Sequence, residues 1–374
     1  MLVLTLHALA AFVVTLGLIL VFAPLARQLG FVDRPNACKI RVSAVPVTGG
    51  VSMFFGILLP AALFGISAGP NGALLAGLAC FLTIGVVDDL LNLHPCVKLA
   101  GQIAAALVMV MLGQSLIGPG QLLGLPAVDR PIIDGLTTVV FIVGLANAFN
   151  MLDGIDGLVG GAALVILACL AALALVLGMA GAVSRVTLLL AAVAGFLVLN
   201  ARHPWRLTAA VYLGDAGSLM LGAAIASFTL ELAAGGSDPM QSDGLPVTPA
   251  LLWLVALPVF DTLILIARRL AGGRNPLRGD HCHIHHVLLQ AGFSVAAASA
   301  ILVAVCGVYG ATGLLLWRMA VPNKIVLATL VVPFMAHLCF VLGGWRLVGH
   351  LRTAQGRPSA VSANPLIHPG AGLP

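Results

Sequence analysis

From Leu2 to Leu347 one apolar segment follows another, with no polar block between them long enough to fold by itself. Such a chain has no room for a separate soluble domain, so its chemistry must be done by short loops and helix ends. Hydrophobic residues fill 60% of the 374 positions and charged ones only 8%. At about 20 residues per crossing, this much apolar chain makes about eleven membrane helices. Windows of about 19 residues place them at 2–23, 49–68, 73–91, 99–117, 132–150, 158–180, 186–200, 216–235, 248–267, 295–317 and 326–345. The expected fold is all-α: a polytopic membrane protein with about eleven transmembrane helices in one domain over residues 1–347. A Pro, Ala, Gly and Ser-rich cytoplasmic tail over 348–374 reads as disordered. The first apolar run has no basic residue before it, unlike a cleaved signal peptide, and reads as a permanent helix.

The basic residues give the orientation. Arg27, Arg34, Lys39, Arg41, Lys98, Arg202, Arg206, Arg268, Arg269, Arg274, Arg278, Arg346, Arg352 and Arg357 fall on one set of connections, and Arg130, Arg185, Arg318 and Lys324 on the other. Lys and Arg are retained in the cytoplasm, so the N-terminus is expected outside and the C-terminus inside. The net charge of +5 is therefore a topology signal and implies no nucleic-acid partner. The seven cysteines show no CxxC pair and read as reduced thiols.

Of thirteen acidic residues, eight fall on the side assigned to the cytoplasm: Asp33, Asp88, Asp89, Asp153, Asp156, Asp215, Asp261 and Asp280. All are Asp, whereas a solvated surface mixes Asp with Glu. Short carboxylates gathered at helix ends suit metal- or phosphate-linked chemistry. Asp88 and Asp89 close the third span, with Lys98 shortly after. Adjacent helical residues point about 100° apart, so one acid is expected to face reacting phosphates and the other to orient a neighbour such as Lys98. In LANAFNMLDGIDGL, the residues Asn147, Asn150, Asp153 and Asp156 recur every third position and would line one helix face, with Gly154 and Gly157 allowing close approach. Asp215, between Gly214 and Gly217, suits Mg²⁺, a hard cation held by one or two carboxylates and substrate phosphates.

The loop RRLAGGRNPLRGDHCHIHHVLLQAG carries Arg268, Arg269, Arg274, Arg278, Asp280, His281, His283, His285 and His286. The spacing lacks the second ligand pair of a zinc finger. Histidines beside arginines read better as donors to a diphosphate or nucleotide, with Arg able to make bidentate contacts.

Together these motifs resemble the polyprenyl-phosphate N-acetylhexosamine-1-phosphate transferase family, membrane enzymes that start bacterial cell-surface polysaccharides. The resemblance runs from about Asp33 to Phe293 through DRPN and PVTGG, DD with KLAGQ, NAFNMLDGIDGL, YLGDAGS, PVFDT and HIHH, in family order. It implies that Asp215 binds Mg²⁺, or Mn²⁺ in its place, and that Asp88, Asp89, Asp153 and Asp156 form the catalytic centre. Lys39, Lys98, Asn147, Asn150, Arg274, His283, His285 and His286 would bind substrates. The family usually reads Arg-Lys-x-His after DxPN; here Cys38 and Arg41 flank the retained Lys39.

The implied reaction transfers N-acetylglucosamine 1-phosphate from a UDP-sugar donor to undecaprenyl phosphate, with release of UMP. It would take place at the cytoplasmic face of the bacterial inner membrane, in a multi-pass protein among membrane lipids, with a homodimer also compatible. The peptidoglycan branch, which transfers phospho-MurNAc-pentapeptide, usually has consecutive His and a Thr before the first Asp of DGxDG. This chain has HIHH and Met151-Leu152, which favours the GlcNAc branch over it, while related N-acetylated deoxysugars stay open. A secondary transporter would carry its acids near the bilayer midplane, not at one end.

Overall fold

The computed structural model describes residues 2–33, 44–64, 71–114, 129–235, 247–275 and 283–354. Among them the chain forms α1 (Leu2–Leu29), β1 (Val32–Asp33), β2 (Val45–Pro46), α2 (Gly49–Leu63), α3 (Asn71–Leu91), α4 (Pro95–Met111) and α5 (Arg130–Leu152). There follow α6 (Leu158–Val176), α7 (Ala180–Asn200), α8 (Gly214–Gly235), α9 (Thr248–Leu254), α10 (Ala256–Ala271), α11 (Ile284–Gln290), α12 (Val295–Arg318), α13 (Asn323–Thr329) and α14 (Val331–Ala354).

The protein is a polytopic helical membrane protein. Among the described residues eight helices are long and apolar enough to cross a bilayer, or nine if α9 and α10, bent by 71° at their junction, are one span. The remaining two expected spans correspond to the shorter apolar helices α2 and α4, of 15 and 17 residues. The all-α expectation gains one small addition, an antiparallel pair in which Val32 faces Pro46 and Asp33 faces Val45. The last helix continues to Ala354, past the expected start of the tail, whose remainder lies outside the described residues. Lys39, Cys38, Arg41, Arg278, Asp280 and His281 also lie outside them. The five described cysteines are free thiols.

The bundle is organised around α8, whose apolar window is 94% buried against 22% for α1. Lipid tails are as apolar as Leu, so helices in a membrane gain most from close backbone approach at small residues. The sequence supplies these where α8 crosses α3, α2 and α5. A side chain at Gly85 of α3 would lie 2.3 Å from the Ala216 Cα, one at Gly50 of α2 2.4 Å from the Gly217 N, and one at Gly222 2.5 Å from the Ala146 Cα of α5.

The ends of α1, α3, α5 and α7 meet the starts of α2, α4, α6 and α8 at one end of the bundle. Backbone bonds tie the segment before α8 to β2 and α2: Tyr212 N–H donates to Pro46 O, Gly49 N–H to Tyr212 O and Gly50 N–H to Leu213 O. Asn200, at the end of α7, accepts from Gly157 N–H ahead of α6 at 2.9 Å and donates to Val211 O. At the opposite end, Arg185 of α7 pairs with Glu231 of α8.

Candidate active site

Three helix ends converge on one ammonium group. Lys98 Nζ donates to Asp215 Oδ2 at 2.6 Å and to Asn150 Oδ1 at 3.1 Å, and lies 2.7 Å from Asp88 Oδ2. Asn150 Nδ2 in turn donates to Asp215 Oδ1 at 2.8 Å and to Ser218 Oγ at 2.9 Å. Local sequence explains the placement. His94 is extended and Pro95 takes the first helical position, where its missing N–H costs nothing, so α4 starts at once and Lys98 falls in its first turn. That is the unfavourable helix end for a cation, just as the last turn of α3 is unfavourable for Asp88 and Asp89. Side chains that oppose the helix dipoles are held by one another, the kind of local conflict expected at a working site.

Asp88 and Asp89 engage different neighbours, as their directions about 100° apart on the helix require. Asp88 pairs with Lys98, and its other oxygen accepts from Leu93 N–H at 2.8 Å, closing the turn into α4. Asp89 accepts from Asp215 N–H at 2.9 Å and Ala216 N–H at 3.1 Å, so it caps α8 and orients Asp215 rather than Lys98. Gly214 makes this reach feasible: its φ is +72°, and a side chain there would fall 2.7 Å from Asp89 Oδ2. In this geometry Asp89 is a positioning group.

The expected four-residue stripe on α5 breaks at its end, because the helix stops at Leu152 and Asp153 takes the cap position with ψ 61°. Asn147 Nδ2 donates to Gln102 Oε1 at 2.6 Å, while Asn150 serves Asp215. Asp153 is half-buried at the cap. Asp156 Oδ2 accepts from Arg202 Nε at 2.7 Å and from Ala209 N–H at 3.3 Å, so it fastens the loop after α5 to the loop before α8. It is a second positioning group.

The histidines pack onto this loop from the far side. A side chain at Gly154 would lie 2.1 Å from His285 Nε2, so only glycine leaves room for the ring. His283 and His285 are buried and stack at 5.3 Å; His285 and His286 lie 4.3 Å apart. Asp261 of α10 holds them, with Oδ2 2.8 Å from His283 Nδ1 and Oδ1 accepting from Ile284 N–H at 3.1 Å. Arg274 is exposed just beyond α10. The last turn of α5 therefore joins the ion cluster to the histidine cluster.

Gln102, Ser218, Arg202 and Asn200 join the site without having been singled out from sequence. Gln102 follows Lys98 by four residues and Ser218 follows Asp215 by three, so helical spacing could have found both. Arg202 was read only as a topology signal, and nothing in the sequence marks Asn200.

Among the described residues Asp88, Asp89 and Asp215 set three carboxylates beside the Lys98 ammonium. That surplus of negative charge, with the Asn150 amide beside it, suits a hard divalent cation. Among the described residues no three His, Cys, Asp or Glu side chains form a ready-made metal cage. Mg²⁺ needs none, since it is commonly held by one or two carboxylates, water and substrate phosphates.

Comparison with known proteins gives the family. The profile of glycosyl transferase family 4 matches residues 71–233, the stretch from α3 to α8. An undecaprenyl-phosphate alpha-N-acetylglucosaminyl 1-phosphate transferase of Haemophilus influenzae (strain ATCC 51907 / DSM 11121 / KW20 / Rd) is 30% identical over 353 residues, covering 93% of this chain and 98% of its own. Proteins of the same name from Yersinia pestis and Escherichia coli (strain K12) are each 26% identical. They match 94% and 89% of this chain, and 95% and 89% of their own lengths. With a 30% identical relative matched almost end to end, and the family's motifs gathered at one end of the bundle, the chain belongs to the polyprenyl-phosphate N-acetylhexosamine-1-phosphate transferases of glycosyl transferase family 4.

Proposed function

We propose that the protein transfers N-acetylglucosamine 1-phosphate from UDP-GlcNAc to undecaprenyl phosphate, releasing UMP, as the first membrane step of a cell-surface polysaccharide. The observation that carries the reading is the convergence of Asp88, Asn150 and Asp215 on Lys98. Relatives named for this substrate pair, matched over most of their length, support the same choice over the phospho-MurNAc-pentapeptide branch.

An oxygen of the acceptor phosphate attacks the β-phosphorus of the donor. The bond from that phosphorus to the bridging oxygen breaks, and UMP leaves with the electron pair. Phosphoryl transfer depends mainly on positioning and charge neutralisation. Lys98 supplies a fixed positive charge between two carboxylates, and Asn150 keeps Asp215 in one orientation. Asp215, with Asp88 beside it, would hold Mg²⁺, which when bound neutralises charge on the diphosphate. His283, His285, His286 and Arg274 are assigned to the sugar nucleotide, and Lys39 to phosphate. Asp153 lies at the start of the loop that the Asp156–Arg202 pair fastens. A phosphate monoester has its second pKa near ~6, so the acceptor is largely dianionic at neutral pH and needs no strong base.

Purified protein given a panel of UDP-sugars with undecaprenyl phosphate should release UMP best from UDP-GlcNAc and give a lipid product of matching mass. Preference for UDP-MurNAc-pentapeptide, or no release from any donor, overturns the assignment. The displacement is direct in this reading, so lipid-free protein should not exchange labelled UMP into UDP-GlcNAc. Exchange at the rate of turnover would instead indicate a covalent phosphoenzyme.

The site faces the cytoplasm of the bacterial inner membrane in this proposal, in keeping with the bias of Lys and Arg toward its connections. A reporter joined after Arg357 should be active in the cytoplasm. Activity confined to the periplasm reverses the orientation.

A further inference from the structure

The apolar stretch of α14 from Val331 to Gly344 carries one imidazole, His337. An imidazole in a membrane helix is costly unless it is bonded. Much of α14 is exposed, with Val331, Val332, Met335 and Leu342 open to its outer side. His337 is buried to 4% exposure, and its Nε2 lies 3.3 Å from Oδ1 of Asp261. Asp261, at 1% exposure, thus meets His337 of α14, His283 and the backbone N–H of Ile284.

An ionised carboxylate only accepts, so both ring nitrogens facing it carry protons. His337 donates from Nε2 and His283 from Nδ1, which fixes the His283 tautomer with Nε2 turned away from Asp261. A carboxylate that fixes a histidine ring in this way also fixes its direction. The short helix α11, of only seven residues, cannot hold itself in place by its own hydrogen bonds. Its first turn hangs on Asp261, and its middle rests on α14, where a side chain at Gly344 would come within 2.7 Å of Val287.

We infer that His337 is a positioning residue for the donor site: by locking the Asp261 carboxylate it sets the orientation of His283 and the seat of His285 against Gly154. Among the described residues its polar partner is Asp261, and it acts through that carboxylate. The inference rests on the assignment of His283, His285 and His286 to the sugar nucleotide. Loss of His337 should therefore weaken use of the donor and leave the acceptor and the chemical step little changed.

The test compares His337→Leu, which removes the donor atom, with His337→Gln, whose amide can restore it. The Leu variant should raise KM for UDP-GlcNAc about tenfold while kcat and KM for undecaprenyl phosphate stay within about twofold, and the Gln variant should recover most of the loss. A second readout does not depend on activity. Carbethoxylation of the 283–286 segment by diethyl pyrocarbonate, followed by mass spectrometry, should be several-fold faster in the Leu variant than in wild type or the Gln variant. Unchanged donor KM with unchanged labelling overturns the inference, as does a fall in kcat alone that Gln does not rescue. If wild type shows no UMP release, the proposed reaction fails, while the labelling still decides whether His337 holds the histidines.

Discussion

Asp215→Asn is expected to lower kcat about 10³-fold, about 4 kcal/mol in the barrier, and to leave the protein folded. Asparagine keeps the size and one acceptor oxygen, so the contact with Asn150 survives in part. Lys98 also keeps its partner Asp88 at 2.7 Å, so no buried cation is stranded, the event that makes broken ion pairs costly to stability. What disappears is one of the three carboxylates: Asp88 and Lys98 then cancel, and Asp89 remains but accepts from the N–H groups of residues 215 and 216, so less is left to hold a hard divalent cation or to keep Lys98 directed between two carboxylates. Turnover against Mg²⁺ concentration, alongside a thermal melt, separates the two effects. Wild-type turnover with the same metal dependence would remove Asp215 from this role.

The second large effect needs no change to any polar group. Gly85→Val places a carbon where the Ala216 Cα, the Ala216 N and the Asp215 carbonyl carbon lie at 2.3, 2.4 and 2.5 Å. These are backbone atoms that cannot rotate away, so α3 and α8 must separate by about 1 Å or more. Overpacking of this kind typically costs about 1–3 kcal/mol. The consequence for rate is larger, because Asp88 rides on α3 and Asp215 on α8, and a misplacement of about 1 Å can cost about 10²-fold. Activity should therefore fall about a hundredfold in protein that still purifies and melts cooperatively, with Gly144→Ala, whose site has open space around it, as the silent control. Activity near wild type in Gly85→Val would mean that the α3–α8 spacing does not set the geometry of the site.

Periodicity and charge made the helical fold and the grouping of motifs legible, because an apolar run of span length has few alternatives and each motif sits at a helix end. The spans that differ, α2, α4 and the bent α9–α10 pair, differ for a physical reason. A hydropathy window sees how apolar a segment is, not where backbone hydrogen bonding stops. The same limit applies to the stripe of Asn147, Asn150, Asp153 and Asp156: a spacing of three promised one face, but the cap at Asp153 sends Asp156 toward Arg202. The division of labour between Asp88 and Asp89 depends on which α3 face meets α8, a tertiary fact. The role of His337 was hidden because its partner Asp261 lies 76 residues away in the chain.

The enclosure of α8 has a consequence for how substrates come and go. A helix surrounded on every side by α2, α3, α5 and α6 has no room to swing, so opening and closing cannot originate at the carboxylate it carries. Adjustment to a substrate falls instead to the seven-residue α11 slung between α10 and α14, because the DGIDG loop and the segment from Ala201 to Leu213 are themselves fastened through Asp156, Arg202 and Asn200. Fixed chemistry and adjustable recognition then reside in separate parts of the molecule, and a new sugar could be accommodated by reshaping the sling while the reacting groups stay where they are.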